Sequence, residues 1–117
     1  MKIKILLVIF LMSFPCVVLS QDSEGSFSTE IHTSYTYKFL LHKPENTKEK
    51  KPLLIFLIGD GEKGTDIEKV KIHGPLNFLK SHTLDAYVLA PQCPENESFN
   101  SETLYRLILK IQKENNI

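Results

Sequence analysis

Residues 52–64 read PLLIFLIGDGEKG, an unbroken apolar run that opens directly into a glycine-rich loop. The run lacks polar alternation, which predicts a central strand over residues 53–58 that is covered on both faces. A short helix is predicted over residues 66–72, and a second buried strand over residues 86–90. Strand, glycine turn, helix and strand form the unit from which α/β proteins build a site at the carboxyl ends of a sheet. The sequence therefore predicts an α/β fold with its site at the glycine loop.

The flanking segments predict further elements of the same domain. A strand antiparallel to those that follow is predicted at residues 32–42, where one face holds Tyr35, Tyr37, Phe39 and Leu41. Residues 43–52 are charged with a proline near each end, which is typical of an exposed hairpin connection. Residues 91–96 are predicted as a loop. Ser101 is predicted to cap an amphipathic helix whose apolar face holds Leu104, Leu107, Ile108 and Ile111.

Residues 1–20 have the pattern of a secretory signal peptide. Lys2 and Lys4 form a short basic start, residues 5–12 are apolar, and cleavage is predicted after Ser20. Interrupted by Ser13 and Pro15, the apolar run is short for a membrane span of about 20 residues. We therefore expect a secreted or periplasmic protein, with no membrane association once the signal is cleaved. Residues 21–30 are predicted to be a disordered lead-in, and residues 31–117 the folded domain.

Composition excludes several classes of partner. The chain has 14 Lys and Arg against 14 Asp and Glu, and removal of Lys2 and Lys4 with the signal leaves 12 basic residues. Such a balance offers no electrostatic footprint for nucleic acid. Cys93 is the only cysteine beyond the signal, so no internal disulfide is predicted. Neither a metal nor a cofactor is predicted, because no close pair is formed by His32, His42, His73 and His82.

The glycine loop allows two functional interpretations. Residues 59–64 match the G-x-G-x-x-G pattern of dinucleotide-binding folds. Against that use, Asp85 is the nearest acidic candidate and precedes the second strand, whereas a ribose-binding carboxylate follows it. The favoured interpretation is a loop that donates backbone N–H groups to a developing oxyanion, since glycines let the main chain approach a substrate carbonyl closely.

Three segments carry a resemblance to a known family: residues 53–64, His73-Gly74-Pro75, and VLAPQCP at residues 88–94. They resemble the amino-terminal half of secreted α/β-hydrolase esterases, the polyhydroxybutyrate-depolymerase and feruloyl-esterase-like group, related to dienelactone hydrolases and prolyl-oligopeptidase-type peptidases. In that group the third strand ends in His-Gly before a Gly-Glu-Arg-Gly loop, and the fourth ends near Pro-Gln-Cys-Pro. Ile58 stands here in place of the histidine and Lys63 in place of the arginine. The resemblance covers residues 35–117.

The resemblance implies that the N–H of Asp60 would be an oxyanion donor and that Gly59 and Gly61 would shape its approach. Gln92 and Cys93 follow a strand end, on the side where such enzymes bind substrate, so they are substrate-lining candidates, with ordinary loop packing as the default. In the family the G-x-S-x-G nucleophile elbow, the acid and the histidine all lie further along the sequence, so no catalytic residue is predicted in this chain.

The fold implied is a partial α/β-hydrolase, with the amino-terminal strands and first helices of a mostly parallel sheet, truncated before the nucleophile elbow. The function implied is the amino-terminal portion of a secreted serine hydrolase acting on an ester or peptide, inactive as this chain alone. The alternative is a non-catalytic secreted α/β module that associates through its open sheet edge, with itself or with a hydrolase partner.

Overall fold

The computed structural model describes residues 21–30 and 34–117, so the predicted signal peptide and His32 lie outside the described residues. The chain forms β1 (Asp22–Glu30), β2 (Ser34–His42), β3 (Leu53–Ile55) and β4 (Tyr87–Gln92). These strands make one sheet in the order β1-β2-β4-β3. β1 with β2 and β2 with β4 pair antiparallel, and β3 with β4 pairs parallel. The described part of the sheet is therefore mixed, where a mostly parallel one was predicted.

Helices cover both faces of this sheet. Two 3-10 helices, Asp60–Glu62 and Ile67–Lys71, are followed by the α-helices α1 (Gly74–Phe78) and α2 (Ser101–Glu114). One core cluster contains Leu40, Ile58, Ile67, Val70, Leu76, Val88, Ala90 and Cys93. On the other face α2 contributes to a second cluster with Phe39, Leu41, Tyr87, Leu89, Leu107 and Ile111. Alternate residues of β2 and β4 divide between the two clusters, as the period of a strand requires. Across the ranges described, no helix is both apolar enough and long enough to span a bilayer.

The strand before the glycine loop is shorter and more exposed than predicted. β3 ends at Ile55, and the exposed fractions of Leu54, Ile55 and Leu57 are 44%, 37% and 51%. β3 pairs with β4 on one side and with no other strand among the described residues, so its outer edge is open, as expected for the partial sheet. The preceding connection is not a hairpin, because β4 lies between β2 and β3.

Residues 21–30, predicted as a disordered lead-in, contain β1. β1 pairs with β2 along its whole length, from Asp22 opposite His42 to Glu30 opposite Ser34. Backbone pairing needs no apolar pattern, which is why a polar, glycine- and serine-rich segment can form this strand. Gly25 contributes by having no side chain, since a Cβ there would lie 2.3 Å from Cζ of Phe39. The Asp22 carboxylate also lies 2.8 Å from Nδ1 of the buried His42.

Two boundaries near the end of the chain differ from the predictions. Pro91 and Gln92 continue β4 and are not loop residues. The residue that caps α2 is Asn100, whose Oδ1 accepts a hydrogen bond from the N–H of Thr103 at 2.9 Å, and Ser101 is the first helical residue. The predicted apolar face is confirmed at Leu107 and Ile111, which are buried.

Candidate functional site

The glycine loop and the loop after β4 meet at one end of the sheet, beyond the last residues of β3 and β4. They follow β3 and β4, which are parallel, so both leave the sheet at its carboxyl end. The N–H of Gly64 donates to the carbonyl oxygen of Cys93 at 3.0 Å. The ammonium of Lys63 donates to the carbonyl oxygen of Glu97 at 2.8 Å. The structure therefore brings together the two segments that the sequence singles out.

The glycine loop contains one turn of 3-10 helix. Its first residue is Asp60, preceded by Gly59 in an extended conformation with φ −81° and ψ 176°. The turn closes through the N–H of Glu62, which donates to the carbonyl oxygen of Gly59 at 3.2 Å. The first N–H groups of a helical turn have no acceptor within it. In the part of the chain that the structure describes, the N–H groups of Asp60 and Gly61 donate no hydrogen bond, and both residues are exposed.

The buried carboxylate of Glu62 holds this loop in place, and the sequence analysis did not identify it. Glu62 is 5% exposed, and its Oε2 accepts a hydrogen bond from the N–H of Gly59 at 2.8 Å. Its Oε1 lies 2.9 Å from Nδ1 of His73, whose ring is largely exposed. A Glu that reaches back three residues to the N–H at a helix start is the acidic half of a capping box, and that spacing was the available signal.

Gln92 joins three elements at this point. Its side-chain amide is buried and donates through Nε2 to the carbonyl oxygens of Glu62 and Asp66, at 2.9 and 2.7 Å. Only the amide nitrogen can donate to two carbonyls, which fixes the orientation of the side chain. Its Oε1 is buried without a partner among the described residues. As a result, the end of β4 is tied to the glycine loop and to the following 3-10 helix.

Cys93 is enclosed beneath the same loop. Its side chain is fully buried in the core cluster that also contains Ile58 and Val70. Burial raises the pKa of the Cys93 thiol, and the nearby Lys63 ammonium opposes that change only in part. Cys93 therefore has the character of a protonated core side chain. Gln92 and Cys93 are both buried, and their substrate-lining role, which no observation tests, stays a prediction.

The residues around Asp60 also set the charge of the loop. The Asp60 carboxylate accepts a hydrogen bond from Lys63 across 2.8 Å, which holds the pKa of Asp60 below its usual range and raises that of Lys63. The Asp60 side chain is 93% exposed, so the contribution of this pair to stability is small. Within residues 21–30 and 34–117 no group of three His, Cys, Asp or Glu side chains is placed to hold a metal ion.

The His73-Gly74-Pro75 step places His73 beside Glu62. Gly74 has a φ of +67°, and a Cβ at this position would lie 2.6 Å from the ring of Phe56. Glycine meets both conditions, the left-handed backbone and the close approach of the ring. α1 can therefore begin directly after His73, with Pro75 in its first turn.

Comparison with solved structures identifies a similar fold. The crystal structure of a thermostable esterase matches with a TM-score of 0.56 and 26% sequence identity, over 80% of this chain. The chain spans 31% of the length of that esterase. No protein-family model matches the sequence, and neither does any curated protein. The mixed sheet, the helices on its two faces and this neighbour agree: the chain has an esterase-like α/β-hydrolase fold.

Proposed function

We propose that this chain provides the amino-terminal strands and the oxyanion-binding loop of a secreted serine hydrolase, which transfers the acyl group of an ester or peptide to water. The observation that carries the proposal is the pair of open N–H groups, on Asp60 and Gly61, at the carboxyl end of β3. They belong to a loop whose neighbouring N–H, on Gly59, is bound to a buried carboxylate. Secretion rests on the signal-peptide pattern of residues 1–20.

The chemistry assigns the loop one task. When a serine attacks a carbonyl carbon, negative charge develops on the carbonyl oxygen, and a fixed N–H donor aimed at that oxygen stabilises the transition state. Asp60 would supply this donor from its backbone, so its side chain is free to pair with Lys63. Gly59 and Gly61 on either side leave room for the substrate.

The nucleophile is assigned to sequence other than these 117 residues. None of the five glycines stands in a G-x-S-x-G segment, the motif that places serine on a strand-to-helix turn. Support comes from the esterase neighbour, of which this chain spans only 31%. We propose that the acid and the histidine of the triad also come from that other sequence, and that this chain alone is inert.

The proposal is tested by assay of the chain and of its extension. The purified 117-residue chain should release no p-nitrophenol from p-nitrophenyl butyrate above the buffer rate. Translation of the DNA that follows the codon for Ile117 should reveal an in-frame G-x-S-x-G, and the extended protein should hydrolyse the ester and be inhibited by phenylmethylsulfonyl fluoride. Turnover by the 117-residue chain that this reagent abolishes would contradict the proposal, as would a downstream sequence without the motif.

A second candidate function, association through the sheet edge, is favoured by one observation. β3 has no strand on its outer side among the described residues, and Leu54 and Ile55 are exposed there. An apolar edge with unpaired backbone groups is a template for another strand. A non-catalytic module would use this edge to pair with a second copy.

That candidate predicts concentration-dependent self-association. In sedimentation velocity the chain should shift from monomer to dimer as concentration rises, and Leu54→Lys should suppress the shift because edge lysines oppose pairing. Leu109→Lys is the matched control, since Leu109 is equally exposed but lies on α2. A chain that stays monomeric throughout, or a Leu109→Lys variant as monomeric as Leu54→Lys, would rule out the edge as the interface.

A further inference from the structure

The Glu62 carboxylate lies where it controls the direction of the peptide groups in the glycine loop. Oε2 holds the N–H of Gly59 at 2.8 Å, so the peptide plane between Ile58 and Gly59 is fixed. Gly59 itself is extended, with φ −81° and ψ 176°. Successive N–H groups of an extended backbone point to opposite sides. With the Gly59 N–H directed inward to Glu62, the N–H of Asp60 is directed outward.

Three further contacts hold the carboxylate and its backbone in place. His73 Nδ1 lies 2.9 Å from Oε1, the oxygen that Gly59 does not use. The Gln92 amide donates to the carbonyl oxygen of Glu62 at 2.9 Å, from a side chain that is itself 2% exposed. Ile58, at the start of the loop, is anchored in the core with Leu76 and Val88. Both ends of the peptide segment from Ile58 to Glu62 are therefore fixed.

The chemistry of this arrangement favours a carboxylate over a neutral side chain. A buried carboxylate requires hydrogen-bond donors on its oxygens, and Glu62 has one on each. Hydrogen bonds to a charged acceptor are roughly twice as strong as those between neutral groups. A glutamine of the same length would offer Gly59 only a neutral amide oxygen and would have to donate to His73 instead of accepting from it, so the charge-assisted bond to Gly59 would be lost.

We propose that Glu62 is a positioning residue of the oxyanion loop. Its carboxylate fixes the Gly59 peptide so that the Asp60 N–H stays directed outward. Contacts with His73 and Gln92 hold Glu62 in place. The inference rests on the proposed function only for the use it gives to the Asp60 N–H. The mechanical claim, that Glu62 sets the direction of that N–H, can be tested without a substrate.

The first test uses the unaltered, ¹⁵N-labelled full chain. Because Gly59 donates to a buried carboxylate, its amide should exchange with deuterium at least about tenfold more slowly than the amide of Gly61, which has no acceptor among the described residues. Its amide proton should also resonate downfield of the other loop glycines. A Gly59 amide that exchanges as fast as that of Gly61 would overturn the proposal.

The second test compares Glu62→Gln with Glu68→Gln. In E62Q the Gly59 amide proton should move upfield, its exchange should accelerate by about tenfold or more, and the amides of Asp60 and Gly61 should shift with it. In the Glu62→Asp variant the amide resonances of the loop should also differ from those of the wild type, because the shorter side chain cannot reach both donors. E68Q should leave all three amides unchanged, since Glu68 is an exposed partner of Lys71.

A merely structural contribution has a different signature. It would lower the unfolding midpoint of E62Q while the three loop amides kept their wild-type shifts in the folded protein, and that result would also overturn the proposal. None of these readouts needs a nucleophile. An ester assay that contradicts the proposed function would not change the interpretation of these amide measurements. Amide measurements that contradict the positioning role of Glu62 would likewise leave the proposed function to be tested by ester turnover.

Discussion

We expect Leu107→Ala to lower the free energy of unfolding by about 2–5 kcal/mol, the range found when a fully buried leucine is truncated. Leu107 is completely buried at the centre of the face that α2 presents to the sheet. It belongs to the cluster that contains Tyr87 and Leu89 of β4. Truncation removes apolar contacts and leaves a cavity that rigid strands cannot close. A small domain has about 5–15 kcal/mol of stability in total, so the change would remove a large part of it.

Urea unfolding followed by far-UV circular dichroism measures this difference. Leu109→Ala is the matched control, because Leu109 lies on the same helix with 45% of its surface exposed. Leu109→Ala should lower the free energy of unfolding by less than about 1 kcal/mol, as substitutions of exposed residues usually do. Equal unfolding midpoints for the two variants would mean that α2 does not pack on the sheet as described.

The elements that could be predicted from sequence are those in which the pattern of apolar side chains matches the pattern of burial. β4 is apolar at nearly every position and is buried on both faces. The helical face of Leu107 and Ile111 follows the helical period and is buried as predicted. The short helix predicted over residues 66–72 is found as the 3-10 helix Ile67–Lys71, with Ile67 and Val70 buried. In each case hydrophobic periodicity and burial have the same physical origin.

The elements that were missed are held by backbone or by single polar contacts. β1 is a polar strand whose pairing with β2 leaves no apolar period to detect. β3 ends at Ile55 although the apolar run continues to Ile58, because an apolar run reports burial, and Ile58 is buried in the core beyond the end of the strand. In the site, Gly59 and Asp60 lie in the loop that was predicted. The Glu62 contact to Gly59 has the local spacing of a capping box, but the contacts of His73 and Gln92 to Glu62 span 11 and 30 positions, and no local pattern encodes them.

Asp60→Pro removes the proposed oxyanion donor together with the Asp60 carboxylate, at a position whose backbone accommodates proline. Asp60 is the first residue of its 3-10 turn, a position where proline is tolerated because the N–H has no helical acceptor. Gly59 is extended, as the residue before a proline prefers to be. Asp60→Ala is the matched control: it removes the carboxylate and its pairing with Lys63 but keeps the N–H. The two variants therefore separate the backbone donor from the side chain.

The decisive measurement is the turnover of p-nitrophenyl butyrate by both variants in the proposed hydrolase, the chain extended by the segment that we propose to carry the nucleophile. Loss of one oxyanion donor typically lowers kcat by about 10²–10³-fold, and we expect a loss of that size for Asp60→Pro, with KM nearly unchanged. Asp60→Ala should stay within about threefold of the unaltered protein, because the transition state contacts only the N–H. Turnover by Asp60→Pro equal to that of Asp60→Ala would contradict the assignment of the glycine loop as the oxyanion site.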